Sequence, residues 1–192
     1  KSPRHPHGQG PAFAADGTCP LFGGGDKAPR QYEECLLKKM GKPAYIGDVK
    51  AGCALKLIQN LMGMSINAVC SESIKLAKLA NIPKEQFIEQ ISNPGAFSFQ
   101  FKNTASGTFD EDFEHPVFTV NLAFKDVRLG IEMCESFGQR VPMMSRAREV
   151  FAATAEKYGE ENFTATSRCC SPPSSIPGSR SRPGRLPGLP TP

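Results

Sequence analysis

The stretch VKAGCALKLIQNLMGMSINAVCSESIKLAKLA, residues 49–80, decides the fold of this chain. It contains no proline, and its apolar residues recur at intervals of three and four, which is typical of an α-helix. Asp48 stands where an N-cap residue belongs, and Asn81 and Pro83 follow as stop signals. A helix of about thirty residues is about 45 Å long. We therefore predict one long central helix around which the other elements pack.

The middle of this helix is apolar around most of its circumference. The apolar residues of the segment 55–69 include Leu57, Ile58, Leu61, Met62, Met64, Ile66 and Val69. A helix without a polar face is expected to be covered by other elements. We predict that the middle of the long helix is buried on most sides.

Shorter helical patterns follow the long helix, at residues 84–91, 97–103, 119–137 and 143–158. The residues expected to separate these patterns are Pro94, Gly95, Gly107, Pro116, Gly138 and Pro142. We predict a helical domain over residues 48–166.

Residues 1–47 have a different pattern, which indicates an α/β segment. Strand-like pieces at 19–22 and 44–46 flank a helical pattern at 28–40. The fold class is therefore mainly α, with an α/β segment preceding a helical domain.

Residues 167–192 are rich in proline and hold no acidic residue. Such a segment cannot bury enough apolar surface to offset its ordering entropy, so we expect it to be disordered. Its only charged side chains are four arginines, which equal the net charge of +4 carried by the whole chain of 192 residues. The rest is close to neutral, which argues against nucleic acid as a partner. No apolar run is long enough to span a bilayer, so we expect no membrane association.

Cysteine and histidine usage argues against a metal site. The chain has 7 cysteines and 3 histidines, without CxxC spacing. Free thiols are typical of a reducing compartment. We expect a cytoplasmic protein, with the mitochondrial matrix as the alternative.

One stripe of the long helix carries polar groups among apolar neighbours. Lys56, Asn60, Gly63 and Asn67 are spaced at i, i+4, i+7 and i+11, which places them on one face. Either Lys56 extends to the surface and the amides bond nearby backbone, or the stripe lines a substrate cleft. In the second case apolar surroundings would lower the pKa of Lys56 and suit it to general acid–base catalysis.

A second candidate pair, Lys125 and Asp126, lies in the helical pattern after Pro116. Counting from Phe118 places Lys125 on the apolar inner face with Leu122, and Asp126 off it. A lysine on an inner face either pairs with an acid or meets a ligand.

Four segments together resemble the 3-hydroxyacid dehydrogenases, a family that includes 3-hydroxyisobutyrate dehydrogenase and tartronate semialdehyde reductase. They are PAFAADGTCPLFGGGD (residues 11–26), GCALKLIQN (52–60), FTVNLAFKDVRL (118–129) and GQRVP (138–142). The first is similar to the last Rossmann strands of that family, and the second to its G-x-G-x-x-x-K-x-x-x-N signature. The resemblance implies that residues 1–47 are the C-terminal remnant of a Rossmann domain. It also implies that residues 48–166 form a helical domain like the C-terminal domain of 6-phosphogluconate dehydrogenase.

The resemblance also implies roles for individual residues. Lys56 matches the catalytic lysine, which exchanges a proton with the substrate hydroxyl. Asn60 matches the amide that holds the substrate, with Gly52 and Gly8 as further substrate-binding positions. Lys125 and Asp126 match the cofactor-binding side of the cleft. The implied cofactor is NAD or NADP, the substrate a small hydroxyacid, and the implied assembly a homo-oligomer formed through the helical domain.

The sequence departs from the family pattern at three places. Lys50 stands where the first signature glycine usually lies, and His7 where a serine helps to bind the substrate carboxylate. No G-x-G-x-x-G motif follows a strand, so the usual pyrophosphate cradle is missing from this sequence. We therefore expect a truncated form that is inactive alone. The alternative is a non-catalytic helical module for dimerisation or partner binding.

Overall fold

The computed structural model describes residues 15–25, 37–39, 41–93 and 95–169. Two strands come first, β1 (Cys19–Gly24) and β2 (Gly41–Gly47). The helices that follow are α1 (Val49–Leu79), α2 (Lys84–Ile91), α3 (Phe99–Asp110), α4 (Val120–Ser136), α5 (Pro142–Tyr158) and a terminal 3-10 helix (Phe163–Cys169). The mainly α fold class is confirmed. Along the described residues, no helix combines the length and apolarity needed to cross a bilayer.

Strands β1 and β2 form a parallel two-stranded sheet, with Cys19 opposite Gly41. Parallel strands need a crossover of a dozen or more residues, and residues 25–40 supply that length. Only 37–39 of the predicted helix over 28–40 fall within the described residues, and they are helical. A Cβ at Gly41 would lie 2.0 Å from the Cys19 carbonyl oxygen, so no other residue fits this close approach.

The ends of α1 follow the predicted signals. The Asp48 carboxylate accepts a hydrogen bond from the Ala51 backbone N–H at 2.7 Å, and Asn81, just past the helix end, has a φ of 54° in the left-handed region. The first turns of α1 lie against β1. Gly52 is buried there, and a Cβ on it would lie 3.3 Å from the Gly24 nitrogen.

Two apolar clusters hold the helices together. The larger one joins α1, α4, α5 and the 3-10 helix, and its buried members are Leu61, Phe113, Val120, Ala123, Val127, Ile131, Phe151 and Ala165. The smaller one joins α1 to α3 and contains Cys70, Ile74, Phe101 and Ala105. At the crossing of α1 and α4, a Cβ on Gly130 would lie 3.1 Å from two carbons of Leu61. The absence of a side chain at position 130 therefore lets these helices approach closely.

The predicted burial of the middle of α1 is wrong within this chain. Four apolar side chains on one face are exposed, namely Ile58 (46%), Met62 (55%), Val69 (58%) and Leu76 (65%). We call these four residues the exposed apolar stripe. The other helices pack on the opposite side of α1, where Asn67 and Ile74 are buried.

Helix α3 is longer than its predicted segment. The expected piece around residues 97–103 extends to Asp110, and Gly107, expected to separate elements, lies inside the helix. The helix instead ends where Glu111 adopts a left-handed φ of 57°. Gly107 is tolerated because the cost of one glycine in a helix is only about 1 kcal/mol.

The described structure continues through Cys169, three residues into the segment predicted to be disordered. The Arg168 guanidinium lies 5.0 Å from the ring centres of both Phe113 and Tyr158 and 3.5 Å from Glu161 Oε2. Residues 170–192 lie outside the described residues.

Candidate functional site

Helices α1 and α4 bring two of the predicted site residues together. Asn60 Nδ2 donates a hydrogen bond to Asp126 Oδ2 at 2.8 Å, although the two residues are 66 positions apart in sequence. Asn60 is half-buried and Asp126 is 8% exposed. The Asn60–Asp126 bond lies beside the close contact between Leu61 and Gly130. This contact fixes the distance between α1 and α4 at the bond.

The predicted orientations of Lys125 and Asp126 are reversed. The Lys125 side chain is 51% exposed, whereas that of Asp126 is 12% exposed. The prediction counted from Phe118, which precedes the Thr119 N-cap and does not share the register of α4. The buried face begins at Val120, and Asp126 falls on it. Leu122, used as an inner-face residue, is 46% exposed.

Lys125 pairs with an acid, which was one of its two open interpretations. Its Nζ lies 2.8 Å from Asp126 Oδ1. Asp126 therefore uses one carboxylate oxygen for Lys125 and the other for Asn60. A buried carboxylate with both oxygens engaged holds its partners in defined positions.

Lys56 lies one helical turn before Asn60 on the same face of α1. Its side chain is exposed, and Nζ donates a 3.4 Å hydrogen bond to Gln59 Oε1. The apolar surroundings expected for Lys56 are not present among the described residues. The structure brings Asn60, Lys125 and Asp126 into contact, with Lys56 adjacent and directed to solvent.

The far half of the predicted polar stripe has a packing role. Asn67 is 1% exposed, and its Nδ2 donates to Thr166 Oγ1 at 3.2 Å and to the Phe163 carbonyl at 3.4 Å. These bonds attach the 3-10 helix to α1. Around Gly63, a Cβ would meet no described atom within 4 Å.

Of the two glycines predicted to bind substrate, one lies within the described residues. Gly52 packs against the backbone of Gly23 and Gly24, so the close contact between α1 and β1 explains why a glycine is present at this position. Gly8 lies outside the described residues.

The described residues fit a dinucleotide only in part. The pyrophosphate of such a cofactor is held by free N–H groups at a helix N-terminus after a strand. At the junction of β2 and α1 the Asp48 carboxylate already accepts the Ala51 N–H, and its negative charge disfavours phosphate. The exposed Lys125 ammonium is a suitable contact for an anionic group.

Thiols and acids in the described residues do not converge on a metal. Among them, no group of three or more His, Cys, Asp or Glu side chains is placed to hold an ion. The described free thiols are Cys19, Cys53, Cys70, Cys134 and Cys169. Burial raises the pKa of the Cys70 thiol, which keeps it protonated and unreactive.

A polar cavity of about 290 Å³ at the other end of α1 was not foreseen from the sequence. It is lined by Ile74, Lys75, Lys78, Thr108, Glu111, Ser167 and Arg168. Lys78 Nζ contacts Glu111 Oε1 at 2.7 Å within it. The three segments that form it are distant in sequence, so no local pattern could indicate it.

Comparison with known proteins gives a family match over most of the described helices. Residues 51–169 match the family described as NAD-binding of NADP-dependent 3-hydroxyisobutyrate dehydrogenase. This match covers more than half of the chain and includes Lys56, Asn60, Lys125 and Asp126.

Two of the relatives are reductases about twice as long as the matched segment. The 3-sulfolactaldehyde reductase of Escherichia coli is 26% identical over 162 residues, which are 83% of this chain and 54% of the relative. The chloroplastic glyoxylate/succinic semialdehyde reductase 2 of Arabidopsis thaliana is 28% identical over 155 residues, 79% of this chain and 43% of the relative. The chain thus spans about half the length of the curated relatives it matches.

A solved structure supports the fold. The 3-hydroxyisobutyrate dehydrogenase structure from Salmonella typhimurium superposes with a TM-score of 0.77 at 24% identity, covering 82% of this chain and 56% of the other. At this identity the similarity concerns the fold alone.

Proposed function

The chain belongs to the 3-hydroxyisobutyrate dehydrogenase family, and we propose that it forms the helical half of an NAD(P)-dependent oxidoreductase site. The proposed reaction is oxidation of a small 3-hydroxy acid similar to 3-hydroxyisobutyrate, or reduction of its semialdehyde. The observation that carries the proposal is the hydrogen bond between Asn60 and Asp126, with Lys56 one turn away on the same face. It places an amide, a carboxylate and two lysines on facing helices.

In this proposal Lys56 is the proton donor and acceptor at the substrate oxygen. Its ammonium is exposed and, within the part of the chain that the structure describes, makes one long bond to a neutral amide, so it can turn toward a ligand. In the oxidation direction the neutral amine form of Lys56 acts as general base and takes the hydroxyl proton, and in the reduction direction the ammonium form donates a proton to the carbonyl oxygen. The nicotinamide, when bound, supplies the hydride chemistry.

Asn60 and Lys125 would bind the two reactants. The Asn60 amide would contact the substrate, and the exposed Lys125 ammonium would contact the anionic part of the dinucleotide. Because the described residues provide no pyrophosphate cradle, we expect the 192-residue chain alone to bind NAD or NADP weakly and to be inactive.

The test uses the full product of the gene that encodes this chain, assayed with 3-hydroxyisobutyrate and each dinucleotide. Replacing Lys56 with alanine removes the proton-transfer group, so we expect turnover to fall by about 10²-fold or more. The matched control is Lys102→Ala, which removes an exposed lysine from α3. Normal turnover in the Lys56→Ala protein would overturn the proposal.

A second candidate function, a helical dimerisation module, is favoured by the exposed apolar stripe. Ile58, Met62, Val69 and Leu76 lie along one face of α1, opposite the face that carries Lys56 and Asn60. A straight stripe on one helix is self-complementary about a two-fold axis. We propose a second copy of this chain as its partner, and this role is compatible with the catalytic one.

A further inference from the structure

We infer that Asp126 is a positioning residue that fixes the Asn60 side-chain amide, so that the second N–H of Asn60 Nδ2 donates a hydrogen bond to the substrate oxygen at the reacting carbon. This inference rests on the proposed function. It assigns Asp126 a role through Asn60 instead of direct contact with the cofactor.

The chemistry of the two side chains decides which end of the amide faces α4. An ionised carboxylate only accepts hydrogen bonds, whereas an amide has a donating and an accepting end. Asp126 Oδ2 lies 2.8 Å from the Asn60 amide, so the end that faces it is the NH₂ group. The opposite assignment would place two accepting oxygens against each other.

The carboxylate itself is held from two sides. Lys125 Nζ binds Asp126 Oδ1 at 2.8 Å from the solvent side. On the interior side, α4 is fixed in the core by Ala123 and Val127, both 0% exposed. Each oxygen of the Asp126 carboxylate therefore has its own partner, Lys125 for Oδ1 and Asn60 for Oδ2.

The remaining groups of Asn60 define the ligand that it can bind. No hydrogen bond to Asn60 Oδ1 is present within the described residues, and Nδ2 has a second N–H. The bond to Asp126 uses one N–H, so the second N–H is left for a ligand. This N–H suits the substrate oxygen whose proton Lys56 exchanges, because that oxygen can accept a hydrogen bond both as a hydroxyl and as a carbonyl. A substrate without this oxygen would leave the N–H unpaired, which lowers affinity.

The first test measures the amide in the 192-residue chain and does not depend on activity. In a ¹⁵N-labelled chain we expect the Asn60 side-chain N–H signals to shift in the Asp126→Ala variant. Lys125→Gln is the matched control, since it removes the ion pair and keeps the bond to Asn60. Asp126→Asn keeps an accepting oxygen and retains the amide contact. Unchanged Asn60 signals in Asp126→Ala would overturn the inference.

The second test is a double-mutant cycle in the full gene product. We expect Asp126→Ala to lower kcat/KM for 3-hydroxyisobutyrate about tenfold or more, with partial rescue by Asp126→Asn. In an Asn60→Ala background the same change should have a smaller effect, because the part of the loss that acts through Asn60 is already present. Equal losses in both backgrounds would overturn the inference.

The two tests separate the inference from the proposed function. If the full gene product oxidises no 3-hydroxy acid, the proposed function fails, and with it the role of the Asn60 amide toward a substrate. The NMR comparison still decides whether Asp126 fixes the amide. If activity is present but the cycle is additive, only the inference fails.

Discussion

Lys78 has the largest influence on the pKa of the Glu111 carboxyl. The hydrogen bond and the positive charge of Lys78, 2.7 Å away, lower the pKa of Glu111 below its ordinary value. Replacing Lys78 with methionine removes both contributions, so we expect the pKa of Glu111 to rise. An NMR titration of the Glu111 side chain measures this change.

A control variant and the pH dependence of stability follow from the same pair, Lys78 and Glu111. Lys75→Met removes a weaker charge contribution to the Glu111 pKa and should raise it less. Because the folded-state pKa of Glu111 is lowered, the pair stabilises the fold above the unfolded-state pKa, and this stabilisation is lost as the pH falls through the folded-state value. We expect this stabilisation to be below about 1 kcal/mol, since the Glu111 side chain is exposed. A Glu111 pKa unchanged by Lys78→Met would contradict the assignment.

At the residue scale, the sequence predicted which polar groups belong to the candidate site, whereas the orientations of Lys125 and Asp126 were predicted wrongly. The spacing of Lys56 and Asn60 placed both on one helix face, as the structure has it. The prediction buried Lys125 and exposed Asp126, the reverse of the structure, because the count began at Phe118, before the N-cap at Thr119. One residue corresponds to about 100° of helix rotation, so an error at the helix start reverses which neighbour is buried.

At the element scale, the start of α1 depends on the Asp48 cap. Its carboxylate satisfies the Ala51 N–H at 2.7 Å. We expect Asp48→Ala to lower the free energy of unfolding by about 1 kcal/mol, measured by urea denaturation with helical circular dichroism.

The matched control for the cap is Asp48→Asn, whose side-chain oxygen can accept the same bond. Asparagine is about as good an N-cap as aspartate, so its stability should stay close to that of the original chain. Equal losses for the two variants would show that the side-chain bond does not stabilise α1.

The elements that sequence predicted best are those with terminal signals. Helix α2 was predicted at its observed bounds, and α1 within one residue, because prolines and caps mark their ends. Helix α3 is longer than predicted, and Gly107, expected to separate two patterns, lies inside it. A glycine leaves the backbone N–H in place, and packing of Phe101 and Ala105 compensates its cost.

At the scale of the whole molecule, the exposed apolar stripe predicts self-association. Burying four large apolar side chains of α1 gives a favourable hydrophobic contribution, about 1.5–3 kcal/mol for each fully buried side chain. We expect the chain to form dimers in light scattering at micromolar concentration, and Val69→Glu to shift them to monomers.

Met143→Glu is the control for this prediction. Met143 is 79% exposed on α5, outside the stripe, so its replacement adds the same charge without affecting the proposed contact. A strictly monomeric parent chain, or dimers that persist in Val69→Glu, would contradict a second copy as the partner.

The order of helical and strand patterns along the sequence predicts the overall architecture, but it does not predict the contacts between elements. A long helix, shorter helices and a preceding α/β segment are local properties. The bond between Asn60 and Asp126 spans 66 positions, and the 290 Å³ cavity joins three separate segments. Such contacts depend on how helices cross, and periodicity within one helix carries no information about its neighbour's register.

The crossing of α1 and α4 also limits how this protein can evolve. Leu61 fills the space that a side chain at position 130 would need, since a Cβ there would lie 3.1 Å from it. A side chain at position 130 therefore requires Leu61 to shift by a few tenths of an ångström or to be replaced by a smaller residue. A smaller residue at position 61 makes room for a later change at position 130, so the order of the two substitutions affects which of them selection tolerates.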